Sequence, residues 1–272
     1  MADLSDLQGT ASSLAFISPQ WPAPANVVAW ASTRQGGIST GPYASLNLGT
    51  NSGDGADLVA ANRNRVACQL GAQPLWLQQV HGTEVVYGPA LQTDFQQAVT
   101  APQADASWTD HPGQILAVLT ADCLPVLLCH SAGHWVAVAH AGWRGLAAGV
   151  LGKLLNQLPA AGAHAMAWLG PAISAASYEV GAEVYHRFIS LDPAYADAFT
   201  RHPQNGEDWG EDRGEERWQA DLYAIARRQL KQLGVTAVYG GEYCTLRQRD
   251  LFFSYRRDQR CGRQACFIGL SS

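Results

Sequence analysis

Lysine is nearly absent from this chain: its 272 residues hold two, Lys153 and Lys231, and every other basic residue is arginine. With no lysine-rich run there is no polybasic patch for an anionic membrane surface. A formal net charge of −5 and a pI near 5.9 also disfavour a nucleic-acid-binding domain, which depends on clustered cations. Uninterrupted apolar segments are lacking as well. The longest run, ILAVLTADCLPVLLC, is broken by Asp122 and Pro125 and is too short to span a bilayer. The N-terminus carries Asp3 and Asp6 but no basic stretch, so no secretory signal is read there. The six cysteines (68, 123, 129, 244, 261 and 266) contain no CxxC, so neither a dense disulfide framework nor a short zinc-finger signature is present. Free thiols and a cytoplasmic location are expected. What the chain does have is 47% apolar residues with 15% charged ones, which excludes disorder. Its length is enough to bury roughly three quarters of the unfolded surface.

The hydrophobic pattern changes along the chain. Strand-like segments dominate early: NVVAWAST (26–33), LWLQQVHGTEVVYG (75–88, two strands hinged at His81-Gly82), ADASWT (104–109), QILAVLTADCLPVLLC (114–129, interrupted) and HWVAVAHAGW (134–143). Residues 34–55 are glycine- and serine-rich loop chemistry, and 57–70 read as a helix stopped by Gly71. Helical spacing then appears at 146–158, where Leu151, Leu154, Leu155 and Leu158 fall on one stripe, and again at 181–191 and 220–234. AMAWLG, VTAVYGG and LFFSYRR read as later strands. Residues 206–217 hold six acids against two arginines and read as a solvated loop. The expectation is one α/β domain over residues 1–272 with mixed sheets, its first 25 residues a less ordered N-terminal segment.

Three polar side chains end apolar strands beside tight turns: His81 after WLQQV, Cys123 within LTADCLPVLL and His140 after WVAVA. Two imidazoles and a thiolate suit a metal of borderline softness, zinc above all, and three protein ligands leave a fourth position open. The same residues admit a metal-free reading, with Cys123 as nucleophile and His140 as its base. Two glycine-bearing loops carry arginines that suit an anion: Arg34 in STRQGGIS, and Arg144 in GWRGLAAG ahead of a helix. Asp122 either orients a ligand histidine or caps a turn. FFSYRR reads as core packing with a solvated tip, and His111, His130, His134, His164, His186 and His202 as ordinary loop or surface residues.

The blocks STRQGGISTGPYASLNLGT, WLQQVHGTEVV, ADASWTDHPGQILAVLTADCLPVLL, VAVAHAGWRGL, LGPAISAASYEVG and FFSYRRDQRCGR together resemble the YfiH-type family, also called laccase-domain or polyphenol oxidase proteins. They run in order from about Ser32 to Leu270. The resemblance implies a single-domain α/β/β/α sandwich, related in fold to the cytotoxic-necrotizing-factor type of Cys-His hydrolase. It implies a metal site on His81, Cys123 and His140, usually zinc, with copper also associated with the family. The implied activity is phosphorolysis of adenosine, inosine, guanosine and methylthioadenosine, together with adenosine deamination. Cys123, His140 and Arg34 are then the catalytic candidates, and Arg34, Asn47 and Arg144 the substrate contacts. The expected partners are small molecules, a purine nucleoside and phosphate, with no nucleic acid or membrane. Two alternatives are a Cys-His amidohydrolase acting on peptidoglycan precursors and a copper-dependent phenol oxidase. Eight histidines with no HxH pair, and Met166 as the only methionine after Met1, argue against a full multicopper laccase. The RCGR turn, the residues following LGPAI and the acidic segment 206–217 depart from the family pattern and bear on substrate preference.

Overall fold

A computed structural model describes residues 14–88, 101–160, 162–201 and 216–271. The chain opens with β1 (Phe16–Ile17) and β2 (Val27–Ser32), then a long loop leads into α1 (Ala56–Leu70). Six strands follow: β3 (Pro74–Leu75), β4 (Val85–Tyr87), β5 (Ala106–Thr109), β6 (Ile115–Thr120), β7 (Leu124–His130) and β8 (Val136–Ala141). Next come α2 (Trp143–Ala148), α3 (Val150–Leu155), β9 (Ala165–Leu169), β10 (Glu179–Gly181), α4 (Ala182–Ile189), β11 (Phe199–Arg201) and β12 (Arg217–Ala220). The described chain closes with α5 (Leu222–Gln232), β13 (Ala237–Gly240), α6 (Tyr255–Asp258) and β14 (Gln264–Leu270).

The strands form a five-stranded sheet ordered β1-β2-β14-β6-β3, a six-stranded sheet ordered β13-β9-β7-β8-β5-β4, and a small sheet β10-β12-β11. Both large sheets are mixed: β3–β6, β4–β5 and β9–β13 pair in parallel, the other neighbours antiparallel. Strand alternation decides how the layers stack, because successive side chains leave opposite faces. Leu116 and Val118 of β6 and Cys266 and Ile268 of β14 meet Leu127, Val136, Val138 and Trp168 of the larger sheet. The alternate residues Ile115, Ala117, Ala265 and Phe267 pack outward under Val66 of α1. On the far side, Val126, Leu128, Ala137 and Ala139 pack against Leu146, Leu151, Leu154, Ile225 and Leu230 of α2, α3 and α5. The result is helix, sheet, sheet, helix. β7, buried along its whole length, therefore reads as an almost unbroken apolar run.

Several segments differ from their sequence reading. The helix expected over 146–158 is two helices, because Gly149 adopts φ 84°, where its N–H caps α2 through the carbonyls of Gly145 and Leu146. LFFSYRR is not a strand: Phe252 and Phe253 are core plugs, and Ser254 caps α6 by accepting from the Arg257 N–H at 3.2 Å. The strand at this end is β14, whose residues Gln264–Leu270 lie between β2 and β6. Of the first 25 residues, expected to be a less ordered N-terminal segment, 1–13 lie outside the described residues. β1 pairs with β2, and Ile17, Trp21 and Ala23 pack on the inter-sheet core. His130 is buried, its ring stacked on His134 and His164 at centroid distances of 4.4 and 5.7 Å. His202 and residues 206–215 of the acidic segment lie outside the described residues. Among the described residues no helix is long and apolar enough to cross a membrane.

Asn62 makes four of the hydrogen bonds that hold down the loop between β2 and α1. Asn62 of α1, fully buried, accepts from the Ile38 N–H at 2.9 Å and donates to Ser39 Oγ (2.9 Å), Ser45 O (3.2 Å) and Asn47 O (3.0 Å). Replacing it with alanine orphans several buried polar groups, each costly to leave unpaired. Asn62→Ala is expected to lower unfolding free energy by about 3 kcal/mol in urea melts, with hydrogen exchange rising first in residues 37–49.

Candidate metal centre and cavity

Sheet register brings the three sequence-distant residues together. In the β7–β8 ladder Pro125 faces His140 and Leu124 faces Ala141, so Cys123, one residue before β7, lies beside the end of β8. His140 follows the alternation of Val136 and Val138 and therefore lies on the inter-sheet side. His81 enters from the turn after β3 with a left-handed backbone, φ 61°. The Cys123 Sγ and His81 Nε2 atoms lie 3.8 Å apart, the two imidazole rings 4.7 Å apart between centroids, and one ligand atom from each residue falls within 4.8 Å of the others. His140 is buried and His81 exposed, so the cluster opens to solvent on one side.

Asp105, just before β5, organises this cluster. Its carboxylate is fully buried and accepts from the Val80, His81 and Gly82 N–H groups at 3.1, 3.0 and 2.7 Å. The same carboxylate lies 2.7 Å from His140 Nδ1. One side chain thus pins the His81 turn and assigns the His140 tautomer, turning Nε2 away from Asp105. Asp122 has a different task. It accepts from Thr245 Oγ1 and the Arg256 N–H, both at 2.6 Å, which fixes the Cys123 turn; it orients neither histidine. Gly142 is required by close packing, since a Cβ there would sit 2.9 Å from Cys123 Sγ and 3.3 Å from the His81 ring.

The electrostatics follow from these contacts. Burial opposes ionisation of Cys123, but the adjacent His140 and His81 outweigh it and hold the thiol below its ordinary value. Burial likewise opposes a charge on His140, which Cys123 and Asp105 overcome, raising it. Cys129, buried without such neighbours, is pushed up to about 12, so the partners and not the residue type make Cys123 distinct. The donor set fits a tetrahedral zinc, for which a thiolate and an imidazole nitrogen stand roughly 3.6 Å apart. Among the described residues no other group of three or more His, Cys, Asp or Glu side chains converges in this way. All six cysteines are free thiols.

The cluster forms part of the wall of a cavity of about 710 Å³. Its other walls include Gly49–Ser52, Trp76, Gln79, Thr120, Tyr255 and two arginines, Arg63 and Arg263. The arginines expected from the sequence are elsewhere. Arg34 lines a separate groove with Arg249, Arg257 and Arg260, its guanidinium tied to the carbonyls of Ala44 (2.8 Å) and Arg249 (3.2 Å). Arg144 is exposed and folds over Trp143 at 4.4 Å. Asn47 is fully buried behind the cavity wall, donating to Ser52 Oγ and Asp54 and accepting from the Gly49 and Arg263 N–H groups. Asp105, Arg63 and Arg263 were not singled out by sequence reasoning. Asp105 had one usable signal, an acid at the entry of an otherwise apolar strand; Arg63 sat inside an ordinary helix pattern.

The family model for multi-copper polyphenol oxidoreductase laccase matches residues 28–271. The chain belongs to this family. An Escherichia coli protein named purine nucleoside phosphorylase YfiH is 44% identical over 257 residues, spanning 94% of this chain and 98% of that protein. A Pseudomonas aeruginosa purine nucleoside phosphorylase is 43% identical, with 94% and 98% covered. Among solved structures, a Neisseria meningitidis protein superposes with TM-score 0.85 at 46% identity, covering 94% of this chain and 99% of that one. Geobacillus stearothermophilus YlmD gives 0.78 at 33% identity, covering 97% and 98%.

Two substitutions test the geometry. Asp105→Asn replaces one acceptor oxygen by a donor facing three N–H groups and a ring nitrogen, and is expected to weaken zinc binding about 10- to 100-fold in a chelator competition. Gly142→Ala is expected to reduce zinc affinity by displacing Cys123 Sγ while far-ultraviolet circular dichroism stays unchanged.

Proposed function

We propose that this protein is a zinc-dependent purine nucleoside phosphorylase acting on adenosine, inosine, guanosine and methylthioadenosine, with adenosine deaminase activity in the same cavity. The observation that carries this reading is the His81–Cys123–His140 cluster in the wall of a cavity of about 710 Å³, with room for a nucleoside and phosphate. Relatives named purine nucleoside phosphorylase that match almost end to end support it. In phosphorolysis a phosphate oxygen bonds to C1′ as the bond from C1′ to the purine breaks; the electron pair leaves with the purine, which takes up a proton. His81, Cys123 and His140 would hold the zinc ion, which would supply Lewis acidity at the substrate. The protein's own part is positioning. Asp105 holds His140 in one tautomer, and Trp76 and Tyr255 offer aromatic surface for a flat base. We place the protein in the cytoplasm, which six free thiols suit.

A second reading rests on one specific feature: Cys123, His140 and Asp105 stand in the order of a nucleophile, a base and an orienting carboxylate, as in a Cys-His amidohydrolase. A multicopper oxidase is disfavoured, because the convergent donors among the described residues suffice for one ion. Product analysis of zinc-loaded protein with adenosine separates these. Adenine and ribose 1-phosphate are expected only when phosphate is present, and inosine without phosphate reports deamination. Cys123→Ala and His81→Ala are each expected to cut both rates by more than about 100-fold. Cleavage of a muropeptide amide with no nucleoside product would transfer the assignment to the hydrolase reading.

A further inference from the structure

We infer that Arg63, Arg263 and Thr120 form the subsite that binds inorganic phosphate in this cavity, an inference that rests on the phosphorylase reading. The first ground is charge. The chain carries 23 acidic residues against 18 basic ones, yet the described residues lining this cavity include two arginines and no aspartate or glutamate. A concave site of one sign of charge in a protein of the opposite sign concentrates a ligand that neutralises it.

The second ground is that both guanidinium groups are held but unneutralised. Arg63 reaches from α1, donates through Nε to Leu48 O at 2.9 Å and lies over the Trp76 ring at 4.1 Å. Burial is the force that lowers its pKa, to about 10, and no carboxylate opposes it. Arg63 is half-buried, and a partly desolvated guanidinium with no counter-charge among the described residues is favoured by an anionic ligand. Arg263 is anchored by Nη1 to the carbonyls of Cys261 and Gly262, both at 2.9 Å. Among the described residues this leaves its Nε and Nη2 without an acceptor, as it leaves both terminal nitrogens of Arg63.

The third ground is that the two arginines are built as a pair. Leu48 accepts from Arg63 Nε and donates its N–H to Arg263 O at 3.0 Å, so the same residue braces both. Asn47 accepts from the Arg263 N–H at 2.9 Å. Gly49 is packed against the Arg263 stem so closely that a Cβ would lie 2.7 Å from Cγ. In the same cavity wall Thr120, 2% exposed, has a hydroxyl with no partner among the described residues. A buried hydroxyl left unsatisfied in a cavity wall is accounted for when a ligand oxygen completes it. Two cationic forks and a hydroxyl match the tetrahedral, multiply charged phosphate. Held there, phosphate shares one cavity with the His-Cys-His cluster, as attack on a nucleoside requires.

The test measures inorganic phosphate binding to the zinc-loaded protein without nucleoside, by phosphorus NMR or calorimetry, and then the phosphate dependence of the reaction. Arg63→Gln and Arg263→Gln are each expected to weaken phosphate binding, and to raise the KM for phosphate, by at least about tenfold, with zinc content and the KM for nucleoside unchanged. Thr120→Val, close to isosteric and uncharged, is expected to weaken phosphate binding a few-fold and serves if an arginine variant fails to fold. Phosphate binding that none of the three variants changes overturns the inference. So does adenosine 5′-monophosphate binding at these residues more than about tenfold tighter than phosphate, since the subsite would then serve a nucleotide. Phosphate binding that depends on both arginines, without formation of ribose 1-phosphate, upholds the subsite and removes the phosphorylase reading instead.

Discussion

A single buried carboxylate, that of Asp105, is the contact on which the rest of the site depends. Its oxygens take three consecutive N–H groups of the 80–82 turn and the ring nitrogen of His140. The turn carries His81 in a left-handed conformation that a non-glycine residue adopts at a cost, and the N–H contacts offset that cost. Burial alone would neutralise Asp105; His140 and the backbone donors of Gly82 and Val80 keep it ionised instead, with its pKa lowered. The resulting negative charge favours the protonated His140, and His140 in turn favours the thiolate of Cys123. The polarity of the cluster is therefore passed along one line of hydrogen bonds and close contacts, beginning in the core.

The two large sheets serve this line differently. The larger one supplies Cys123 and His140 through the register of β7 and β8, and Asp105 at the start of β5, which pairs with β8. The smaller one supports the opposite wall: β14 follows directly on Arg263, and β6 ends at Thr120. Between them, the loop from Arg34 to Gly55 is held by buried amides, Asn62 from α1 and Asn47 within the loop. Loops this rich in glycine and serine have little apolar surface to bury, so side-chain hydrogen bonds to backbone must hold them. That explains why Asn47, which stands among the sequence candidates for substrate contact, is a brace behind the cavity.

Much of the architecture was legible. Apolar, β-rich segments at 26–33, 104–109, 114–129 and 134–143 correspond to β2, β5, β6 with β7, and β8, and helical spacing at 57–70 and 220–234 to α1 and α5. What misled was apolarity without partners in view. LFFSYRR is as hydrophobic as a strand, but its phenylalanines fill the core from an irregular segment, whereas QACFIGL, which was passed over, lies between β2 and β6. The short strands β10, β11 and β12 carry three or four residues each, too few for a period to show.

By itself the sequence determined the chemistry available: two imidazoles and one thiol at strand ends, a scarcity of lysine that makes arginine the cation of any anion site, and layers of apolar residues sufficient for two packed sheets. Tertiary structure alone decided which arginines meet the cavity. Arg34 and Arg144 follow strands beside glycines, as an anion-binding loop should, yet one is tied to carbonyls in another groove and the other folds over Trp143. Arg63 and Arg263, 200 positions apart, are joined through Leu48 because α1 and β14 pack on the same loop. A guanidinium at the end of a long side chain takes its direction from the surfaces it packs against. Those surfaces exist only once distant segments of the chain have come together.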